Sequence, residues 1–259
     1  MLTRTIALAV AFAACLAAAP RHGGSNITLQ KRLHVNTLIT EPGTAEIDWA
    51  SLYSLSTATL SMPAAVKYTP EGHTILWGRT EYSVAFDSIV NADPGAGRVT
   101  GFSQAVSLAS NSVLFDGERF DIALAPQATF FRRDESGARL GAALIARYDA
   151  GRNSIGAALS WSGATHSSST NPAGIFDAGL GYGRRLAAAG AFSHLTAHGN
   201  LVWERATGAE RVVAMFEGCE YQVTGRVALD ISGQHVGLPG GSRDHQLVFA
   251  VTLGLGKLK

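Results

Sequence analysis

Three groupings of residues carry side chains able to do chemistry. His166-Ser167-Ser168-Ser169 sets an imidazole beside three hydroxyls, the base-and-nucleophile pairing that acyl transfer needs. A hydrolytic site also needs a third group to orient the base, and none stands at a telling distance in the sequence. A Ser/Thr-rich loop produces the same pattern without any catalytic role. His194 with His198, and His235 with His245, are pairs without Cys or carboxylate neighbours at metal-ligand spacing, so no metal is expected. Gly179-Leu180-Gly181-Tyr182-Gly183 has the look of a phosphate loop, but such a loop must open a helix, and these glycines fall on alternate strand positions. No cofactor is expected. The third grouping is a set of charges at alternate positions: Arg79, Glu81, Asp87, Asp121, Arg139, Arg147, Asp177, Arg185, Glu204 and Asp230.

The elements carrying those charges are long and regular. From Phe120 to Phe131 the even positions are apolar or Pro (Phe120, Ile122, Leu124, Pro126, Ala128, Phe130), and the odd ones include Asp121, Gln127 and Thr129. After the polar turn Arg132–Gly137, a second arm sets Leu140, Leu144 and Tyr148 against Arg139, Arg147 and Asp149. Period-2 alternation of this kind marks a strand with two chemically different faces. Twelve residues at about 3.3 Å each, tilted by about 45°, span about 28 Å, which matches a bilayer core. Symmetric pairing of this hairpin puts Asp121 opposite Arg147.

Twelve such segments follow from residue 46: about 46–56, 62–69, 74–87, 99–110, the two arms of the hairpin, 153–164, 174–186, 194–204, 211–222, 226–236 and 245–256. Turn chemistry separates them, as at Asp116-Gly117, Ala150-Gly151 and Thr224-Gly225. The expected fold is all-β, an antiparallel transmembrane β-barrel of about 12 strands following a cleaved signal peptide. An even count is the rule for single-chain outer-membrane barrels. Pro126 predicts a bulge, because it removes a ladder donor. Glu217 and Glu220 have opposite parity on one strand, so they cannot both face inward without a bulge.

Composition supports this frame. The 259 residues are 46% hydrophobic and 16% charged, which excludes disorder. A net charge of +1 without a basic cluster argues against nucleic acid as a partner. The four lysines are Lys31, Lys67, Lys257 and Lys259, so none falls between 68 and 256, unlike a soluble surface. Residues 1–18 (Arg4, then an apolar run and small residues) read as a secretory signal, 19–45 as a periplasmic leader or possible plug, and 46–259 as the outer-membrane barrel. Cleavage removes Cys15 and leaves Cys219 alone, so no internal disulfide is expected. Aromatics near the ends of the apolar faces, Phe120 and Tyr148 among them, suit interfacial girdles.

Glu41-Pro42-Gly43-Thr44, Glu46-Ile47-Asp48-Trp49, Lys67-Tyr68-Thr69-Pro70-Glu71-Gly72, Asp177-Ala178-Gly179-Leu180-Gly181-Tyr182 and Ser232-Gly233-Gln234-His235 resemble a bacterial outer-membrane transporter family similar to phenol meta-cleavage (MetA-pathway-like) proteins. The likeness spans about residues 33–258. It implies a porin-like channel or transporter in the bacterial outer membrane, not an enzyme, for passive uptake or export of small molecules, hydrophobic or aromatic ones among them. Membrane lipid, a small-molecule solute and the barrel-assembly machinery are then its partners. Such barrels often finish on an aromatic residue, whereas this chain ends Leu258-Lys259. The ten alternating charges are expected to line the lumen. Two other readings stand beside this one: an outer-membrane lipid hydrolase using His166 and the adjacent serines, and a non-transporting structural or adhesion barrel.

Overall fold

In the computed structural model the described residues are 42–55, 59–71, 79–87, 89–90, 105–131, 137–167, 172–187, 189–208, 211–237 and 243–257. The signal and most of the leader expected at residues 1–41 lie outside them, as do the first part of the third segment and the start of the fourth.

Twelve strands make one antiparallel sheet. They are β1 (Thr44–Ser54), β2 (Thr59–Ser61 and Ala64–Tyr68), β3 (Thr80–Asp87 and Ile89–Val90), β4 (Ala105–Asp116), β5 (Phe120–Phe131) and β6 (Ala138–Ala150). The remainder are β7 (Asn153–Ala164), β8 (Gly174–Arg185), β9 (Leu195–Ala206), β10 (Val212–Thr224), β11 (Val227–Gly237) and β12 (Arg243–Lys257). Each pairs with its sequence neighbour, and β1 pairs with β12 from Thr44↔Lys257 to Ser54↔Gln246, which closes the barrel. Closure removes every free sheet edge, the condition for a strand protein to cross a bilayer. β2 is interrupted at Met62-Pro63, where proline offers no N–H to the ladder.

Register follows from alternation and tight turns. β6 and β7 are joined by the two residues Gly151-Arg152, and Gly151 takes a φ of 65°, which a hairpin turn of this length requires. The β5–β6 hairpin pairs Asp121 with Arg147 and Phe120 with Tyr148, as its symmetry predicts. β1 begins at Thr44 rather than 46, because a bulge between Ala45 and Glu46 breaks the alternation there.

The predicted bulge at Pro126 is not found. The β4–β5 ladder lapses between Ala109↔Gln127 and Ser112↔Leu124 but resumes in the same register. The register shift lies instead between Val113 and Phe115, where Leu114 is the extra residue. Proline thus removes contacts locally, while the bulge is built from apolar residues on the partner strand.

Candidate functional site

The two faces of the wall differ sharply. Exposed large side chains occupy one parity on most strands, including Phe130, Leu144, Leu159, Leu180, Leu201 and Ile231. Their outer face carries two aromatic belts. One runs through the registers Tyr68↔Tyr82 and Phe120↔Tyr148↔Ile155↔Tyr182. The other contains Phe86, Phe130, Trp161, Phe176 and Trp203, the last two in edge-to-face contact at 5.7 Å. Phe120 and Phe130 are ten residues apart on one strand, about 33 Å along it and about 25 Å along the axis at a tilt of about 40°. That is the height of the apolar band of an outer-membrane barrel. No helix among the described residues is long and apolar enough to cross a membrane.

The opposite parity forms the inner face, and polar networks stitch neighbouring strands there. Lys67 Nζ lies 2.5 Å from Asp48 Oδ2 and 3.2 Å from Glu46 Oε1. Across the closing seam Thr252 donates to Asp48 Oδ1 at 2.7 Å, and Ser54 donates to Asp244 Oδ1 at 2.8 Å. His198 Nε2 sits 2.5 Å from Asp230 Oδ2, and Ser232 donates to Asp230 Oδ1 at 2.9 Å. On β7 and β8 Ser160 donates to Asp177 at 2.6 Å.

The ten charges singled out in the sequence are distributed over this surface. Glu81, Arg139, Asp177 and Glu204 are buried on the inner parity of their strands. Asp230 is half-buried and joined to His198. Arg139 donates to Ser162 Oγ at 3.3 Å and to the Pro172 carbonyl at 2.6 Å, which ties β6 to the β7–β8 connection. Asp121 and Arg147 are opposite in register, but the Arg147 guanidinium reaches Asp149 at 2.5 Å instead. The reason is local: residues i and i+2 of one strand share a face. Arg79 precedes β3 and pairs with Asp116 at the barrel's end. Arg185 is exposed at the end of β8, and Asp87 closes the first part of β3.

Sequence reasoning missed the Lys67 network and the His198–Asp230 pair. Glu46 and Asp48 do share a parity, and Lys67 is the one lysine between residues 32 and 256, so a signal was present. The partner of His198 lies 32 residues away on β11, which no local spacing reveals. The two glutamates of β10 are now placed: Glu220 faces inward, and Glu217 faces outward without any bulge between them. Glu217 is 64% exposed and lies 3.4 Å from His235 Nε2, and His235 meets His245 Nδ1 to Nδ1 at 2.7 Å. Cys219 shares that outer parity and is exposed. His166 and Ser167 lie exposed between β7 and β8, and Ser168 and Ser169 fall outside the described residues. Among the described residues no group of three or more His, Cys, Asp or Glu converges as a metal site.

Among the described residues the acids of inward parity include Glu46, Asp48, Glu81, Asp177, Glu204, Glu220, Asp230 and Asp244, and the bases include Lys67 and Arg139. Toward the strand ends Arg79 pairs with Asp116 and Arg147 with Asp149, and Asp121, Arg185 and Arg226 share the inward parity. Burial of this inner face is uneven. On β9 to β1 it is packed: Val202, Ala214, Phe216 and Val236 form one buried apolar cluster, and Ala50 and Ala250 another. On β5 to β7 its midsection is mostly small, with Ala125, Gly141, Ala143, Gly156 and Ala158 of intermediate burial, while Ala123 is fully buried beside Ile145.

By sequence, no protein-family model and no curated protein matches the chain. By structure, the barrel is similar to the NanC porin, with a TM-score of 0.59 and 8% identity over 80% of this chain and 98% of that one. It is similar to the KdgM porin, with a TM-score of 0.56 and 8% identity over 80% of this chain and 98% of that one. An outer-membrane channel from Pseudomonas putida F1 aligns with a TM-score of 0.57 and 10% identity over 83% of this chain and 97% of its own. At such identities the likeness is one of fold. A closed 12-strand antiparallel barrel with an apolar exterior between aromatic belts is the architecture of a bacterial outer-membrane protein.

Proposed function

We propose that the chain is a passive outer-membrane channel for small solutes. The observation that carries this reading is the half-exposed, small-residue midsection of the β5–β7 inner face. Ala125, Ala143 and Ala158 point away from the apolar exterior, so water reaches them from within the barrel. An eight-stranded barrel fills its interior with side chains and a sixteen-stranded one leaves an aqueous channel, so twelve strands with one thin-lined side give a narrow, off-centre passage. The ten alternating charges line that lumen or its mouths in this reading.

The resemblance to transporters of the phenol meta-cleavage type extends the proposal to hydrophobic or aromatic cargo. Residues 1–18 act as the export signal, and the stretch from 19 to the start of β1 at Thr44 as a leader or plug. Conductance of the purified protein in planar bilayers tests the proposal. Discrete conductance steps are expected, and a folded barrel that neither conducts nor passes solute into liposomes would overturn it. Lipid hydrolysis by the wild type that His166→Ala abolishes would replace it with the enzymatic reading.

A further inference from the structure

We infer that the outer face of β9–β12 docks a phosphorylated glycolipid of the outer leaflet, with Arg205, Arg211 and Arg243 holding its phosphate. This rests on the outer-membrane barrel and not on the channel. Alternation decides which face each charge takes. Arg205 follows Leu201 and Trp203 on β9, Arg211 precedes Val213 and Met215 of β10, and Arg243 precedes His245 and Leu247 on β12. All three have the parity of the apolar exterior and all three are exposed. Their sequence neighbours Glu204 and Asp244 have the other parity and are buried in the inner wall, so carboxylates go inward and guanidiniums outward. The last pair of the β9–β10 hairpin is Glu204↔Val212, which sets Arg205 and Arg211 opposite one another at its end. Like charges opposed across strands repel, and a phosphate between them turns repulsion into attraction. Gly237 pairs with both Val213 and Arg243, and its missing side chain leaves open the space between β10 and Arg243.

The place of the arginines along the barrel axis is that of a lipid head group. Arg205 is the next outward residue beyond Trp203 and pairs in register with Phe176, both of the aromatic belt. The guanidiniums therefore stand just outside that belt, at head-group level. On the bilayer side of the belt, Leu201, Met215, Ile231 and Leu247 are exposed apolar side chains, the surface that acyl chains cover. Among the described residues the outward carboxylate of this arc is Glu217, nearer mid-bilayer, and His235 Nε2 lies 3.4 Å from it. The bonded pair His235–His245 stands between Glu217 and Arg243. This is the outer end of the barrel, because the two- and three-residue turns 117–119, 151–152 and 225–226 all lie at the opposite end, and short turns face the periplasm. The leaflet that meets these arginines is the outer one, whose lipid carries its phosphates on sugar. Arginine's planar fork matches phosphate oxygens two at a time.

The test is binding of bisphosphorylated lipid A to the purified full-length barrel in a neutral detergent, beside the same lipid with both phosphates removed. The phosphorylated lipid should remain bound in native mass spectrometry and raise the temperature at which heat-modifiable gel mobility is lost, and the dephosphorylated lipid should do neither. Arg205→Gln with Arg211→Gln should weaken the apparent affinity by about tenfold or more, and adding Arg243→Gln should weaken it further. Arg184→Gln removes an exposed outward arginine from the opposite end of β8 and should leave binding unchanged. Equal binding of the two lipids, or unaltered binding by the folded double variant, overturns the inference. Phosphatidylglycerol held as tightly as lipid A overturns the glycolipid as the source of the phosphate. Inorganic phosphate held by these arginines while lipid A is not makes the site one for a soluble anion and overturns it too. The comparison of the two lipids uses the wild type, so it decides even if a variant fails to fold. Conductance is not the readout, so a barrel that binds the lipid without conducting upholds this inference and overturns only the channel.

Discussion

The arcs β5–β7 and β9–β1 obey the same alternation and face the same bilayer, yet their inner sides are packed differently. On β9–β1 the inner positions are filled: Val248 is 3% exposed, Ala50 1% and Asp48 2%, and side-chain bonds cross the closing seam. On β5–β7 the corresponding midsection is mostly alanine and glycine, half-exposed except at Ala123, with charged groups toward the ends in Arg139 and Arg147–Asp149. A sheet closes only if its first and last strands find each other across the whole chain. The dense, bonded arc is the one that contains that seam. The thin arc is made of consecutive hairpins whose register is local, so it can leave space beside it. On the proposed channel reading, closure and passage fall to opposite sides of one barrel.

Lys67→Met should have the largest effect on the dense arc. It leaves Glu46 and Asp48 facing each other on the inner wall without their shared cation, and removing one partner of a buried pair costs about 3–5 kcal/mol. Denaturant unfolding in detergent should show that loss, and Lys67→Met with Asp48→Asn should recover part of it. An unchanged midpoint would mean that the network does not hold the seam. Next in size is Ala143→Trp on the thin arc. It should fold and run as a heat-modifiable barrel, but with conductance reduced about tenfold, because an indole has taken the space beside it. Retention of full conductance would move the passage elsewhere. On β10, next to the dense arc's apolar cluster, Gly218→Ala tests packing itself. A Cβ there would lie 2.4 Å from the Ile231 carbonyl oxygen and 2.4 Å from the Ser232 Cβ. Backbone must then shift, at about 1–3 kcal/mol, read as a lower unfolding midpoint.

The thin arc was the more legible of the two in sequence. Strict alternation from Phe120 to Asp149 around one polar turn determines its pairing, and Asp121↔Arg147 follows by counting. The strand count and the apolar parity of nearly every strand follow in the same way. The dense arc was not legible, because its contacts join distant residues: Ser54 with Asp244 and Asp48 with Thr252 are bonds that no window of sequence contains. Irregular strands hid more. The bulge at Ala45–Glu46 and the break at Met62-Pro63 blur the alternation of β1 and β2, so Lys67 and its two carboxylates were passed over. On β10, Val213 and Met215 are outward and Ala214 and Phe216 inward. Counting on from them reaches Glu217 outside and Glu220 inside, but only once the absence of a bulge is known.

Pro126 gives the smallest effect and the finest distinction between the arcs. It sits exposed on the outer face of β5, in the stretch where the β4–β5 ladder lapses between Ala109↔Gln127 and Ser112↔Leu124. The lapse keeps register on both sides, so the two backbones remain close enough to pair. Alanine supplies the missing N–H, and Pro126→Ala should therefore restore a ladder bond and stabilise the barrel by up to about 1 kcal/mol. Hydrogen exchange at Ser110 and Asn111 should slow at the same time. The inner side of the wall is untouched by this change, so conductance should stay at the wild-type value. A gain in stability without a change in conductance would separate the pairing of the thin arc from the space beside it. A loss of stability would show instead that the proline's fixed backbone, rather than its missing donor, sets the geometry at this step of β5.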